Sequence, residues 1–217
     1  MRSRHHFGPY LFRLYVLIMK ALDWVADARY GIHTRYMKNY EADDRKGTAA
    51  QDATRNIPML YHRLFVLRRY LKPSPADVFI DLGCGTGRPL FVMAYSDAGV
   101  IRGVDFHEVA VRHCTNNLAH YRGPKSKIII YRADCATLCF TNETIFYLYN
   151  PFGPVTLAAV LKRIHNSITR NFRPIRICFY ETEQRKLLDE SAWLVLEKTL
   201  PFPGGRFLIY SSHSASA

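Results

Sequence analysis

The residues best suited to chemistry form a glycine-rich run behind an acid. The segment Asp81–Gly87, with the sequence DLGCGTG, directly follows the apolar segment Val78–Ile80. Glycines let a backbone turn and approach a ligand closely, and a following helix offers unpaired N–H groups to ligand oxygens. The spacing is G-x-G-x-G and not the G-x-G-x-x-G of dinucleotide folds. Asp81 would repel a pyrophosphate but attract an ammonium group.

Two further acids follow the second and third predicted strands. Asp105 comes twenty-two residues after Gly83, where a carboxylate can accept hydrogen bonds from both hydroxyls of a ribose. Its alternative role is the N-cap of the next helix. Asp134 can accept a hydrogen bond from an adenine amino group, while the backbone N–H of Cys135 donates to the ring. Its alternative role is that of an ordinary loop acid.

Together these motifs resemble the class I S-adenosylmethionine-dependent methyltransferases. The glycine loop matches the nucleotide loop of that family, and the two later acids match its ribose and adenine acids in order and spacing. The resemblance covers about residues 76–217 and implies S-adenosylmethionine as the cofactor, with no metal ion. The cofactor-binding residues that it implies are Asp81, Gly83, Cys84, Gly85, Gly87, Asp105, Phe106, Asp134, Cys135 and Asn150.

A fourth motif, Asn150-Pro151-Phe152, ends the fourth predicted strand. It resembles the Asn-Pro-Pro-Tyr/Phe motif of methyltransferases that act on nitrogen, with Phe152 standing at the second proline. In that motif the Asn side chain and a Pro-linked carbonyl accept hydrogen bonds from the amine, and the aromatic ring packs on it. These three residues are therefore the predicted catalytic residues, which act by orienting the acceptor. A simple strand-ending turn is the alternative interpretation.

The elements that must position these motifs fall into two parts. Residues 1–75 read as a helical cap, with helices over Tyr10–Ala28 and Ile57–Leu71 separated by a polar loop. Residues 76–217 alternate short apolar runs with longer amphipathic ones, which indicates a doubly wound α/β layer. The resemblance implies a seven-stranded, mostly parallel sheet. The predicted strands are Val78–Leu82, Val100–Asp105, Lys127–Tyr131, Thr144–Tyr149, Ile175–Tyr180, Trp193–Lys198 and Phe207–Tyr210. The predicted helices are Arg88–Ser96, His107–Ala119, Val155–Thr169 and Gln184–Leu188.

The excess of basic residues is concentrated in the first part. The chain carries 30 Lys+Arg and 18 Asp+Glu, and residues 1–75 hold fourteen basic and six acidic side chains, a net charge of +8 out of +12. An anionic partner for this segment is one interpretation, and a solvated basic face is the other. No apolar run is long enough for a transmembrane helix. Five cysteines without a C-x-x-C spacing favour a reducing, cytoplasmic location.

The sequence thus predicts an S-adenosylmethionine-dependent methyltransferase that acts on the nitrogen of a protein lysine or another macromolecule. The methyl acceptor, protein or nucleic acid, is unknown at this point. A nucleic-acid methyltransferase and a non-catalytic cofactor-binding module remain alternatives. An NAD-type oxidoreductase is disfavoured by the glycine spacing and by Asp81.

Overall fold

The computed structural model describes residues 8–35, 57–125 and 127–213. The strands are β1 (Val78–Leu82), β2 (Val100–Asp105), β3 (Ile128–Arg132), β4 (Ile145–Leu148), β5 (Arg176–Tyr180), β6 (Leu194–Phe202) and β7 (Gly205–Ser212). They form one seven-stranded sheet in the order β3-β2-β1-β4-β5-β7-β6, in which β7 is antiparallel to both of its neighbours. The predicted mostly parallel, seven-stranded sheet is confirmed.

The described helices cover the two faces of this sheet. They are α1 (Pro9–Tyr30), α2 (Tyr61–Leu71), α3 (Arg88–Met93), α4 (Glu108–His120), α5 (Pro154–Arg170) and α6 (Arg185–Asp189). Prolines lie in the first turns of α1, α3 and α5, where a missing N–H costs no hydrogen bond. None of the described helices is long and apolar enough to cross a membrane.

The order of strands places the candidate residues at one edge of the sheet. Strand β1 lies between β2 and β4, and all five of its residues are buried. Because parallel strands end at the same edge, the segments that follow β1, β2 and β4 meet there. The buried interior divides into two apolar clusters, one on each face of the sheet. Residues before β1, such as Leu64 and Leu67 of α2, belong to one of these clusters.

Most predicted elements occur within a few residues of their observed bounds. The first two strands have the predicted bounds, but the second predicted helix begins at Tyr61 and not at Ile57. A residue before proline is biased toward extended backbone, so Pro58 delays this helix. The predicted polar loop of residues 39–52 lies outside the described residues. The division at residue 75 stays a prediction.

Candidate active site

The glycine loop has the backbone that its spacing predicts. Gly83, Gly85 and Gly87 have φ angles of +80°, +52° and +89°, which residues with a Cβ adopt only at a cost. The N–H groups of Gly83 and Cys84 both donate to the carbonyl of Val104, at 2.8 and 2.9 Å. These bonds fasten the loop to the end of β2, beside Asp105.

The loop touches the Asn-Pro-Phe segment directly. A Cβ placed on Gly83 would lie 2.4 Å from the Cβ of Pro151, so no residue with a side chain fits at this position. Two motifs separated by more than sixty residues in the chain therefore meet in space. The contact explains why the first glycine of the loop is needed, since Pro151 occupies the volume of the absent side chain.

Asp81 is a buried acid that forms no ion pair with a described residue. Its side chain is 2% exposed, and its Oδ2 accepts no hydrogen bond within the described residues. Burial, and then the neighbouring Asp105, raise the pKa of Asp81 well above its usual range. Tyr147, the partner of Asp81 in the register of β1 and β4, also has a buried hydroxyl that meets no partner among the described residues. Two unsatisfied polar atoms at one strand end are typical of a ligand site.

Asp105 connects the glycine loop to the end of β2. Its Oδ2 accepts a hydrogen bond from the N–H of Gly85 at 2.9 Å, and its Oδ1 accepts one from the N–H of His107 at 2.9 Å. The N-cap of α4 is His107, whose side chain accepts from Val109, so the alternative role of Asp105 as N-cap is wrong. Each carboxylate oxygen has a second lone pair, which suits it to accept from a hydroxyl group. Burial raises the pKa of Asp105.

The segment after β3 lies beside the same acid. The N–H of Ala133 donates to the carbonyl of Asp105 at 3.1 Å, which brings Asp134 to the end of β2. Asp134 is half-buried, and its Oδ1 accepts a hydrogen bond from the N–H of Ala136 at 2.8 Å. Phe106 is also half-buried. The three predicted acids therefore occur at or just after the carboxyl ends of β1, β2 and β3, at one edge of the sheet.

Three predicted site residues direct their side chains into the core. Cys84 and Cys135 are buried, and burial raises the pKa of the Cys135 thiol above its usual range. Cys84 packs beside Cys114, so only the backbone of residue 84 is available to a ligand. Phe152 is 3% exposed and packs in the apolar cluster that includes Ile80. The motif predicted that the Phe152 ring packs on the methyl acceptor, but the ring lies in the core. We therefore do not include it in the acceptor site.

Asn150 has an unusual backbone conformation at the end of β4. Its φ angle is +46°, and among the described non-glycine residues only Lys72 shares a positive φ. Asparagine tolerates this conformation better than most residues, so a turn explains part of the choice of residue type. Such conformations are also frequent at functional sites. The geometry is thus compatible with both interpretations of the motif.

Sequence reasoning missed an aromatic and basic group next to Asn150. The rings of Tyr149 and Tyr180 meet edge to face with centroids 4.9 Å apart. The buried Arg63 of α2 donates to the Tyr180 hydroxyl at 3.1 Å and to the carbonyl of Pro203, and its Nε has no hydrogen-bond partner in the described part of the chain. Tyr180 ends β5, which lies next to β4, so the order of strands could have placed Tyr180 near Asn150. No feature of the sequence indicated that Arg63 lies there.

No family model matches the chain. The ribosomal protein L11 methyltransferase of Desulforapulum autotrophicum is 25% identical over 131 residues, which are 58% of this chain and 42% of that protein. The chain thus spans less than half the length of this curated relative.

Solved structures match more of the fold. An RNA methyltransferase from Salinibacter ruber in complex with S-adenosyl-L-homocysteine matches with a TM-score of 0.55 and 14% identity, over 74% of this chain and 97% of that chain. A putative methyltransferase from Escherichia coli matches with a TM-score of 0.56 and 16% identity, over 70% and 87%. This chain has the class I methyltransferase fold. The resemblance that the sequence motifs indicated is confirmed at the level of the fold.

Proposed function

We propose that this chain is an S-adenosylmethionine-dependent methyltransferase that acts on a nitrogen atom. The contact between Gly83 and Pro151 carries the proposal, because it joins the cofactor loop to the segment that would hold the acceptor. When bound, the cofactor supplies a methyl group that is already activated as a sulfonium. The chain then needs only to bind and orient both partners, which is catalysis by proximity.

The residues at the sheet edge fit this cofactor. S-adenosylmethionine carries a cationic ammonium group and a ribose with two hydroxyl groups, and Asp81 and Asp105 are two buried carboxylates that form no ion pair with a described Lys or Arg. Burying a carboxylate without a partner is costly, so a cationic ligand is favoured there. Asp81 would hold the ammonium end, Asp105 the ribose and Asp134 the adenine. The curated relative and the similar structures support the enzyme class and the cofactor.

Asn150 is the proposed residue for the acceptor. Its side-chain amide oxygen accepts a hydrogen bond from the incoming amine, and the carbonyl at Pro151 accepts another, so the nitrogen lone pair is directed toward the methyl carbon. Tyr149 and Tyr180 provide an aromatic wall beside it. No strong general base is required when the amine arrives neutral.

The acceptor is proposed to be a macromolecule, with a protein lysine as the first candidate. The names of the similar proteins include a ribosomal-protein methyltransferase and an RNA methyltransferase, so nucleic acid is the second candidate. We also propose that residues 1–75 form a cap on the catalytic part, residues 76–217, and that the protein acts in the cytoplasm.

Labelled cofactor distinguishes the acceptor classes. The purified chain is incubated with methyl-labelled S-adenosylmethionine and a cell extract, which is then separated into protein and RNA fractions. Label in protein that hydrolyses to methyl-lysine supports the first candidate, and label in RNA replaces it with the second. A chain that binds S-adenosylhomocysteine but transfers no label to any fraction would be a non-catalytic binding module.

Substitutions at Asn150 separate its chemical role from its role in the turn. Asn150→Gly removes the amide but keeps a residue that adopts positive φ freely, whereas Asn150→Ala removes the amide and adds backbone strain. We expect both variants to lose about a hundredfold in single-turnover rate and to retain affinity for S-adenosylhomocysteine. Only Asn150→Ala should also melt at a lower temperature.

Lys72→Gly is the matched control, because Lys72 has the other positive φ and lies at the end of α2, before β1 begins. This variant should keep the wild-type rate. A full rate in a well-folded Asn150→Gly protein would remove Asn150 from the acceptor site and leave only the turn.

A further inference from the structure

Helix α1 presents a broad apolar surface to solvent. Its two acids, Asp23 and Asp27, are buried against the rest of the protein. Eight of its large apolar side chains are exposed by 47% to 83% of their surface; they are Tyr10, Leu11, Leu14, Leu17, Ile18, Leu22, Trp24 and Val25. The sequence spacing predicts an amphipathic helix here, and the structure adds that these eight side chains lie on its outer side.

A polar network explains this orientation. Asp23 accepts a hydrogen bond from Arg88 at 2.5 Å and another from the N–H of Tyr61 at 3.0 Å. Asp27 accepts hydrogen bonds from the Thr34 N–H, the Thr34 hydroxyl and the Tyr61 hydroxyl, at 2.9, 2.7 and 2.6 Å. These bonds hold the inner face of α1 against the protein. The apolar side chains on the outer side remain exposed.

The exposed face is large for a protein surface. Of the sixteen exposed large apolar side chains among the described residues, eight lie on this one helix of 22 residues. Leu11, Leu14, Ile18, Leu22 and Val25 follow the i, i+3, i+4 and i+7 spacing of a single stripe. A helix of this length is about 33 Å long. Continuous exposed apolar patches of this kind mark interaction sites.

The charges around the stripe are positive. All three basic residues of α1, Arg13, Lys20 and Arg29, are exposed, while both of its acids are buried. The guanidinium of Arg35 lies 3.6 Å from the centre of the Trp24 ring. The exposed side of α1 thus combines aliphatic side chains and a tryptophan with a cationic rim, and it carries no acid. This is the composition of helices that lie in the interface of an anionic membrane.

A second copy of the chain fits this surface less well. Two α1 helices packed antiparallel about their middle would bring Lys20, which lies near the middle of α1, close to its own symmetry mate. No exposed acid of α1 is available to compensate these like charges. A nucleic acid would use the cations but would gain little from the aliphatic stripe.

We propose that the outer face of α1 binds an anionic lipid surface, with the apolar stripe in the acyl–headgroup boundary and the basic residues on lipid phosphates. This inference is independent of the proposed methyl transfer, because it uses neither the glycine loop nor the sheet edge. The chain would bind such a surface peripherally.

Vesicle co-sedimentation tests the proposal on the full chain. Vesicles of equal parts phosphatidylglycerol and phosphatidylcholine should bind the protein, vesicles of phosphatidylcholine alone should bind it at least tenfold more weakly, and added salt should release it. The double variant Leu17→Gln/Val25→Gln should lose at least tenfold in affinity for the anionic vesicles, and so should Arg13→Glu/Lys20→Glu.

The matched controls lie on other elements. Val155→Gln replaces a valine that is 65% exposed, as Val25 is, and Arg112→Glu/Lys162→Glu reverses two exposed charges elsewhere. Both controls should bind vesicles like the wild type, and circular dichroism should show all variants folded. Vesicle binding that is absent, or unchanged in the α1 variants, overturns the proposal. A dimer in analytical ultracentrifugation that Leu17→Gln/Val25→Gln dissociates, without vesicle binding, would assign the face to a second copy instead.

Discussion

Two pairs of buried acids in this protein have opposite surroundings. Asp23 and Asp27 lie on the inner face of α1, and Asp81 and Asp105 lie at the carboxyl edge of the sheet. Arg88 serves the first pair, with nitrogen atoms 2.5 Å from Asp23 and 3.8 Å from Asp27. Within the described residues, no Lys or Arg forms an ion pair with the second pair.

The difference separates a structural acid from one that we propose is kept for a ligand. Arg88 also donates to the Thr34 hydroxyl at 2.7 Å and to the Met59 carbonyl at 2.8 Å. Within the described residues, this network leaves no buried side-chain nitrogen or oxygen of Arg88, Asp23 or Asp27 without a partner. Asp81 instead keeps an oxygen without a partner, which destabilises the free protein. A cost of this kind is retained where a bound cation compensates it.

Removing the cation of the closed pair should have the largest effect on stability. Arg88→Met leaves two buried carboxylates without their counterion, and we expect a loss of about 3–5 kcal/mol in the free energy of unfolding. Urea denaturation followed by circular dichroism measures this loss. If Arg88→Met does not fold, Arg88→Lys keeps the charge and should retain part of the stability.

Arg132→Met is the control for that measurement, because Arg132 and Glu108 form an exposed pair at 2.8 Å. Exposed pairs contribute about 0–1 kcal/mol, so this variant should stay close to the wild type. Equal losses in the two variants would show that the network of Arg88 is no more important than a surface ion pair.

Replacing one acid of each pair by alanine should give the next largest effects, on ligand affinity for one pair and on stability for the other. Asp105→Ala should weaken binding of S-adenosylhomocysteine by about 1–3 kcal/mol, because a charge-assisted hydrogen bond to the ribose is lost. Asp23→Ala should lower the melting temperature more than Asp105→Ala and change the affinity less. Calorimetry and thermal melts on the same preparations test both. An unchanged dissociation constant in a folded Asp105→Ala protein would remove Asp105 from the site.

The residues at the carboxyl edge of the sheet could be predicted from the sequence because local patterns specify them. Val78–Leu82 reads as a buried strand, the glycines that follow require positive φ, and the strand order brings Asp81, Asp105 and Asp134 to one edge. Each of these signals lies within a few residues of the feature that it predicts. The fold class and the loop conformation could therefore be predicted.

The features that the sequence did not predict depend on contacts between distant residues. Arg63 reaches Tyr180, 117 positions away, and Arg88 reaches Asp23 across 65 positions. Periodicity gives the spacing of the apolar residues of α1 but not the direction in which they face. That direction is set by the buried acids on the opposite side of the helix. A hydrophobic pattern contains no information about the hydrogen bonds that these acids form. For the same reason Phe152 was predicted at the acceptor, although its ring packs in the core.

The smallest expected effect is on the stability of the protein when Asp81 is replaced. It tests whether the unpaired acid destabilises the protein in the absence of a ligand. The pKa of Asp81 is raised in the folded protein, so its contribution to stability is complete at low pH and is lost as the pH rises from the usual carboxyl range through the raised value. Asp81→Asn cannot ionise. Without ligand it should therefore be more stable than the wild type by about 1 kcal/mol near neutral pH, a gain of a few degrees in melting temperature. The advantage should shrink as the pH falls toward about 4, where an ordinary carboxyl group is half protonated.

Saturating S-adenosylhomocysteine should reverse the order of stability of the two proteins, because its ammonium group stabilises only the ionised carboxylate of the wild type. Thermal melts of both proteins, with and without this ligand at the two pH values, measure all four differences. Equal stabilisation of both proteins by the ligand would place Asp81 outside the cofactor site and make its burial a structural feature like that of Asp23.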